Sequence, residues 1–145
     1  MRNLTQAIYI ICRCTHIFYA RELKKLHLTM GQFPFLMEIV DNDGISQEKL
    51  SSQLKISKST TAVIVRQLLE SGLITRKPDE KDRRNFHLHA TEKARNLIPG
   101  IEKIIDLCHS TILQDLTDDE QNQFVDLLRK VRNRTEISFT KRKKS

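Results

Sequence analysis

Between residues 45 and 91 the chain carries two short helical patterns separated by only three residues, and that spacing leaves few ways to fold. Ser46 opens the first pattern, which ends at Leu54; its hydroxyl is placed to cap a first-turn amide. Lys55, Ile56 and Ser57 turn the corner. A second helix is predicted from Lys58 to Ser71, with Ser57 as its N-cap and Gly72 just past its end, where a left-handed residue commonly closes a helix. Thr61, Ile64, Val65 and Leu68 fall at i, i+3, i+4 and i+7 and share one buried face. The opposite face carries Ser59, Val63 and Arg66, with Lys58, Thr60 and Ala62 near the N-terminal end. Small polar side chains and one arginine suit a helix that fits closely into a groove. Two short helices on a three-residue turn form a helix-turn-helix, whose second helix enters the DNA major groove.

A hairpin follows. Residues 73–76 and 85–89 are β-type runs, and residues 77–84 between them are polar, with Pro78 and Asp79 as turn formers. A hairpin with a charged tip beside a helix-turn-helix is the wing of a winged helix. The order of Ser57, Lys58, Ser59, Thr60 and Thr61, then Leu68, Leu69, Glu70, Ser71, Gly72, Leu73 and Ile74, then Asp82, Arg83 and Arg84, then Thr91, Glu92 and Lys93 resembles the multiple-antibiotic-resistance regulator (MarR) family. The resemblance extends more weakly over nearly the whole chain. It implies a homodimeric transcription regulator, most often a repressor, and a cytoplasmic location is the default expectation. It also implies that Arg84, at the wing tip, reaches into the minor groove while Asp82 helps to hold it. The expected DNA-contacting set is therefore Ser57, Lys58, Ser59, Thr60, Ala62, Val63, Arg66, Asp82, Arg83 and Arg84.

Composition agrees. With 39% hydrophobic residues the chain can build a core, and 4 Gly and 3 Pro among 145 residues favour helices. The predicted class is mostly α with a small β-hairpin wing (α+β). The net charge of +7 suits a polyanion partner. Four of those charges lie in the tail Lys141, Arg142, Lys143 and Lys144, so the remainder, +3, argues only modestly for DNA. No apolar run is long enough to span a membrane, and residues 7–12 are bounded by Arg13 and make a poor signal peptide. Cys12, Cys14 and Cys108 cannot all pair, so no disulfide framework is expected.

Residues 4–27 form a first predicted helix that is apolar on more than one side, through Ile8, Ile10, Ile11, Ile17, Phe18, Leu23 and Leu26. Thr29 can cap a second, residues 30–41, unless Pro34 delays its start. Beyond the wing Thr91 caps a long run to residue 116, with a kink or brief break expected at Pro99 and Gly100. Thr117 and Glu120 make a capping box for a last helix to about residue 137, striped by Phe124, Leu127, Leu128 and Val131. These terminal helices carry more apolar surface than one lobe can bury. An isologous dimer resolves the excess. The expected organisation is one MarR-like domain over residues 1–145. Within it lie a DNA-binding winged lobe at residues 30–91, a dimerisation lobe at residues 1–28 and 92–140, and a basic tail at residues 141–145.

Cys14, between Arg13 and His16, could be a redox-sensing thiol, but structural burial is the norm for free cysteine and is the favoured reading for Cys12 and Cys14. His87 and His89 share a strand face and could bind metal with Cys108 or His109, but no second spaced ligand pair accompanies them, so neither metal nor cofactor is expected. Arg13, His16 and Arg21 could ring a pocket for a small aromatic acid effector, as the resemblance suggests; salt bridges to a dimer partner compete with that reading. No enzyme motif is present: no Gly-rich phosphate loop, no Gly-x-Ser-x-Gly, no His-Glu-x-x-His. The alternative function is a non-sensing architectural or protein-binding winged helix, which would need neither Arg66 nor Arg84.

Overall fold

Capping chemistry sets most of the element boundaries. The computed structural model describes residues 2–79 and 86–140. Helix α1, Arg2–Lys24, stops short of the expected residue 27, where His27 takes a left-handed φ of 57° and turns the chain. Thr29 and Gln32 cap each other's backbone amides, at 3.2 and 3.0 Å, but they close a turn rather than the helix itself. Helix α2, Phe33–Asp41, starts after that turn, with Pro34 in its first turn, where a missing amide costs nothing. Pro34 thus delays the helix.

Strand β1, Ile45–Ser46, was not predicted. Helix α3, Gln47–Leu54, follows it, and Ser46 accepts from the Lys49 amide at 3.2 Å as expected. Lys55 turns left-handed (φ 54°), and helix α4 runs Lys58–Glu70, one residue short of the predicted end. Gly72, at φ 70°, closes α4; nothing crowds the position, so its backbone angle alone calls for glycine. Strands β2, Ile74–Pro78, and β3, Phe86–Ala90, pair antiparallel, and β1 adds to the other edge of β3, giving the order β1-β3-β2.

Helix α5 is Glu92–Leu113, capped by Thr91, whose hydroxyl accepts from the Ala94 amide at 3.2 Å. It continues through Pro99, so the brief break allowed for at this point does not occur. One proline removes a single donor, and Gly100 leaves room for Leu26, whose methyl would stand 3.3 Å from any added Cβ. Helix α6 is Asp118–Thr140.

Contacts divide the chain into two units, residues 1–108 and 109–145. The first holds one continuous core. Leu23, Leu28, Phe35, Leu36, Ile39, Leu50, Val65, Leu68, Ile74, Leu88, Ala94 and Ile101 are buried in it, so the last turns of α1 and the first half of α5 pack with the helix-turn-helix and the sheet. Earlier in α1, Leu4, Ile8, Tyr9, Ile10, Ile11 and Ile17 are exposed. In the second unit the Thr117 amide and hydroxyl both donate to Glu120 (2.9 and 3.0 Å), the capping box expected from sequence. Phe124, Val125, Leu127, Leu128, Val131 and Ile137 of α6 are exposed. Among the described residues, no helix is long and apolar enough to cross a membrane.

The buried stripe of α4 contains one misfit. Thr61 is fully buried, and its hydroxyl has no hydrogen-bond partner among the described residues. Leaving a hydroxyl unpaired in a core costs about 1–3 kcal/mol. Thr61→Val keeps the branched shape and removes that cost. It should raise the urea midpoint of unfolding at unchanged slope; a lower midpoint would mean that the hydroxyl is satisfied.

Candidate nucleic-acid interface

Helix α4 presents two chemically distinct faces. Thr61, Val65 and Leu68 are buried and Ile64 half-buried, whereas Lys58, Ser59, Thr60, Ala62, Val63 and Arg66 are all exposed. The spacing that buries the first set projects the second outward. At the N-terminus Ser57 Oγ accepts from the Thr60 amide at 3.1 Å, donates to Thr60 Oγ1 at 2.8 Å and lies 3.1 Å from Ser59 Oγ. A cluster of hydroxyls therefore surrounds the positive end of the helix dipole, a setting that favours phosphate oxygens.

Charge on this face is already organised. Lys58 Nζ donates to Glu48 Oε1 of α3 at 2.6 Å, and that hydrogen bond holds the Glu48 carboxyl below its usual range. Arg66 stands 3.9 Å from Glu70 one turn on, a loose exposed pair that leaves its guanidinium easily redirected. Glu48 was missed in the sequence because its partner lies ten residues away, across the turn.

The stem of the hairpin is tied down from both sides. Arg76 of β2 lies over the Phe86 ring of β3, 4.9 Å from its centroid. Asp43, in the loop before β1, accepts from the Ala90 amide at 2.9 Å, pairs with Arg95 of α5 at 3.1 Å and contacts His89 Nδ1 at 3.1 Å. Burial pushes the Asp43 carboxyl up, but the bonds from His89 and Ala90 and the charge of Arg95 outweigh it and hold the group below its ordinary value. His87 Nδ1 lies 2.7 Å from the Gly44 carbonyl, and Nε2 lies 2.7 Å from Asp79 Oδ2. His87 and His89 are thus half-buried residues held by hydrogen bonds. Among the described residues no cluster of His, Cys, Asp or Glu is arranged to hold a metal. The expected contacts Asp82, Arg83 and Arg84 lie outside the described residues.

On α1, Arg13 and His16 line an open concavity of about 410 Å³ with Tyr9, Cys12 and Ile17. Arg13 Nη1 donates to the Tyr9 hydroxyl at 3.3 Å. Arg21, expected beside them, is not in the lining: it pairs with Glu22 at 2.9 Å and lies over the Phe18 ring. Glu22 is buried and needs cations, which is why Arg21 turns to it. Cys12 and Cys14 are exposed, against the expectation of burial, because this stretch of α1 lacks a core to enter; Cys108 alone is buried.

Residues 28–86 match the model of the MarR family. The HTH-type transcriptional regulator YybA of Bacillus subtilis is 31% identical over 136 residues, covering 94% of this chain and 91% of that protein. A MarR transcriptional regulator from Methanosarcina mazei superposes with a TM-score of 0.85 at 33% identity, covering 94% of this chain and 99% of the other. A regulator of the same description from Listeria monocytogenes, in complex with a 26mer DNA, gives 0.87 at 33% identity, covering 97% and 94%.

Proposed function

The chain belongs to the MarR family of transcription regulators, and from that premise we propose that it is a sequence-specific repressor of transcription in the cytoplasm, binding double-stranded DNA as a homodimer and released by a small-molecule effector. The observation that carries the reading is the exposed face of α4, where Lys58, Ser59, Thr60, Ala62, Val63 and Arg66 stand clear of the core behind them. Phosphates are held by the Ser57 hydroxyl cluster and Lys58, and Arg66 reaches a base edge. Two protomers read half-sites about one helical turn, roughly 34–36 Å, apart. Residues 30–91 serve as the DNA-binding lobe, and residues 1–28 and 92–140 as the dimerisation helices. The apolar residues exposed on α1, and those exposed on α6, support the dimer. Arg13 and His16 in the α1 concavity are the groups that an aromatic acid effector would meet.

The test separates reading from holding. With duplexes selected from a random pool, Arg66→Ala should cost about 1–3 kcal/mol on the preferred base and relax that one position. Arg84→Ala should instead flatten the salt dependence by about one counterion per protomer and relax A·T preference at the flanks. Asp82→Ala should weaken binding although net charge rises. Tighter specific binding by Asp82→Ala would mean that bulk charge, not an aimed wing, holds the DNA. Retention on DNA under excess random competitor excludes an architectural module without sequence preference.

A further inference from the structure

His87 sits on the central strand of the three-stranded sheet and reaches both edges. Its Nδ1 meets the carbonyl of Gly44, the residue before β1, and its Nε2 meets the carboxylate of Asp79, the residue after β2, each at 2.7 Å. Neither acceptor can donate: a carbonyl oxygen has no proton, and an ionised carboxylate has none either. A neutral imidazole carries one N–H and would turn a lone pair toward one of these oxygens. Only the imidazolium satisfies both. His89, two residues on, makes one such bond, Nδ1 to Asp43 Oδ2, which a neutral ring can donate.

We propose that His87, as an imidazolium, is the positioning residue of the wing, a proton-dependent clamp that ties the hairpin to the loop before β1 and so makes DNA affinity fall as the proton is lost. The inference rests on the nucleic-acid reading above. Asp79 directly follows β2, so the clamp fixes the end of that strand against the loop before β1.

The surroundings bear on the sign. Asp79, just after β2, favours the proton and partial burial opposes it, while Lys77 of β2 stands opposite His87 in the register. Strand β1 contributes no ionisable group, only Ile45 and Ser46, and beside it lies Asp43, already engaged by Arg95 and His89. Leu88, buried and pointing to the other side of the strand, marks the face on which α2 and α3 pack, with Glu38, Asp41, Glu48 and Lys49. The bond to Asp79 and then that to Gly44 raise the His87 pKa above its ordinary value. A raised folded-state value means the stabilisation is complete below the ordinary histidine pKa of about 6.5 and is lost as pH rises through the raised value. Affinity should weaken in that same direction.

The experiment pairs an NMR titration of the histidine rings with DNA-binding curves from about pH 5 to pH 8, across the physiological histidine range. The probe is a duplex selected from a random pool by the wild-type protein at the acid end. Wild type should weaken several-fold toward the alkaline end, with a midpoint matching the His87 ring titration. His87→Gln should show a flat profile over that midpoint, Asp79→Asn a midpoint moved to lower pH, and His89→Gln the wild-type profile. Each variant's folding is checked by circular dichroism at both ends of the range. A His87 ring titrating at or below the ordinary value, or identical profiles for wild type and His87→Gln, overturns the clamp. Failure of wild type to bind any selected duplex at every pH overturns the nucleic-acid reading instead, and the ring titrations of wild type and Asp79→Asn then decide the clamp alone.

Discussion

Deleting residues from Thr117 onward should turn a well-behaved assembly into aggregate or unfolded chain. Helix α6 exposes Phe124, Val125, Leu127, Leu128, Val131 and Ile137, and the first two-thirds of α1 exposes six large apolar residues of its own. Soluble proteins rarely show such surface unless another surface covers it. Under the proposed dimer, removing α6 from both chains takes away one of the apolar faces that make the interface. Folding and association are one equilibrium in an obligate dimer, so stability is lost with the partner. Size-exclusion chromatography with light scattering reads the result directly. A stable monomer that still binds DNA tightly would sink the dimer argument, and with it the assignment of α1 and α6 to the interface.

Leu68→Ala should act through the fold alone. Leu68 is fully buried on the inner face of α4, and truncating a core leucine costs about 2–5 kcal/mol. Against a total stability of roughly 5–15 kcal/mol, that is a large share. Thermal or urea unfolding should show the loss, while DNA affinity, corrected for the folded fraction, should stay close to wild type. Arg66→Ala, two residues earlier on the outer face, should do the opposite: near-normal unfolding and impaired DNA selection. If both substitutions moved both quantities equally, α4 would not divide into a packing face and a reading face.

That division was legible in the chain because it depends on neighbours within one helix. Thr61, Val65 and Leu68 share a face by helical spacing alone, and burial of all three follows once any core exists. The same locality accounts for Ser46, Ser57, Thr91 and Thr117, each capping the helix it was expected to cap. Gly72 closing α4 belongs here too. Each needs only partners within about one turn.

Local patterns misled where a competing local device intervened. Thr29 has the chemistry of a cap, yet Pro34 displaces the helix start and leaves Thr29 closing a turn with Gln32. Pro99 carries the signature of a break, yet α5 continues, because Leu26 seats against Gly100 from a distant part of the chain.

By itself, then, the amino-acid sequence determined the helix-turn-helix, its caps, the hairpin and the faces of α4, all products of interactions within a few residues. Only the tertiary structure decided the rest. Strand β1 is two residues long and carries no periodicity; it exists because β3 offers it an edge. Asp43 meets His89, Ala90 and Arg95, and Gly44 meets His87, across more than forty residues of chain. Whether Cys12 is covered, and whether Arg21 joins Arg13 or turns to Glu22, depends on what packs beside α1. Such pairings are set by chain closure and by competition for burial, which no local spacing encodes.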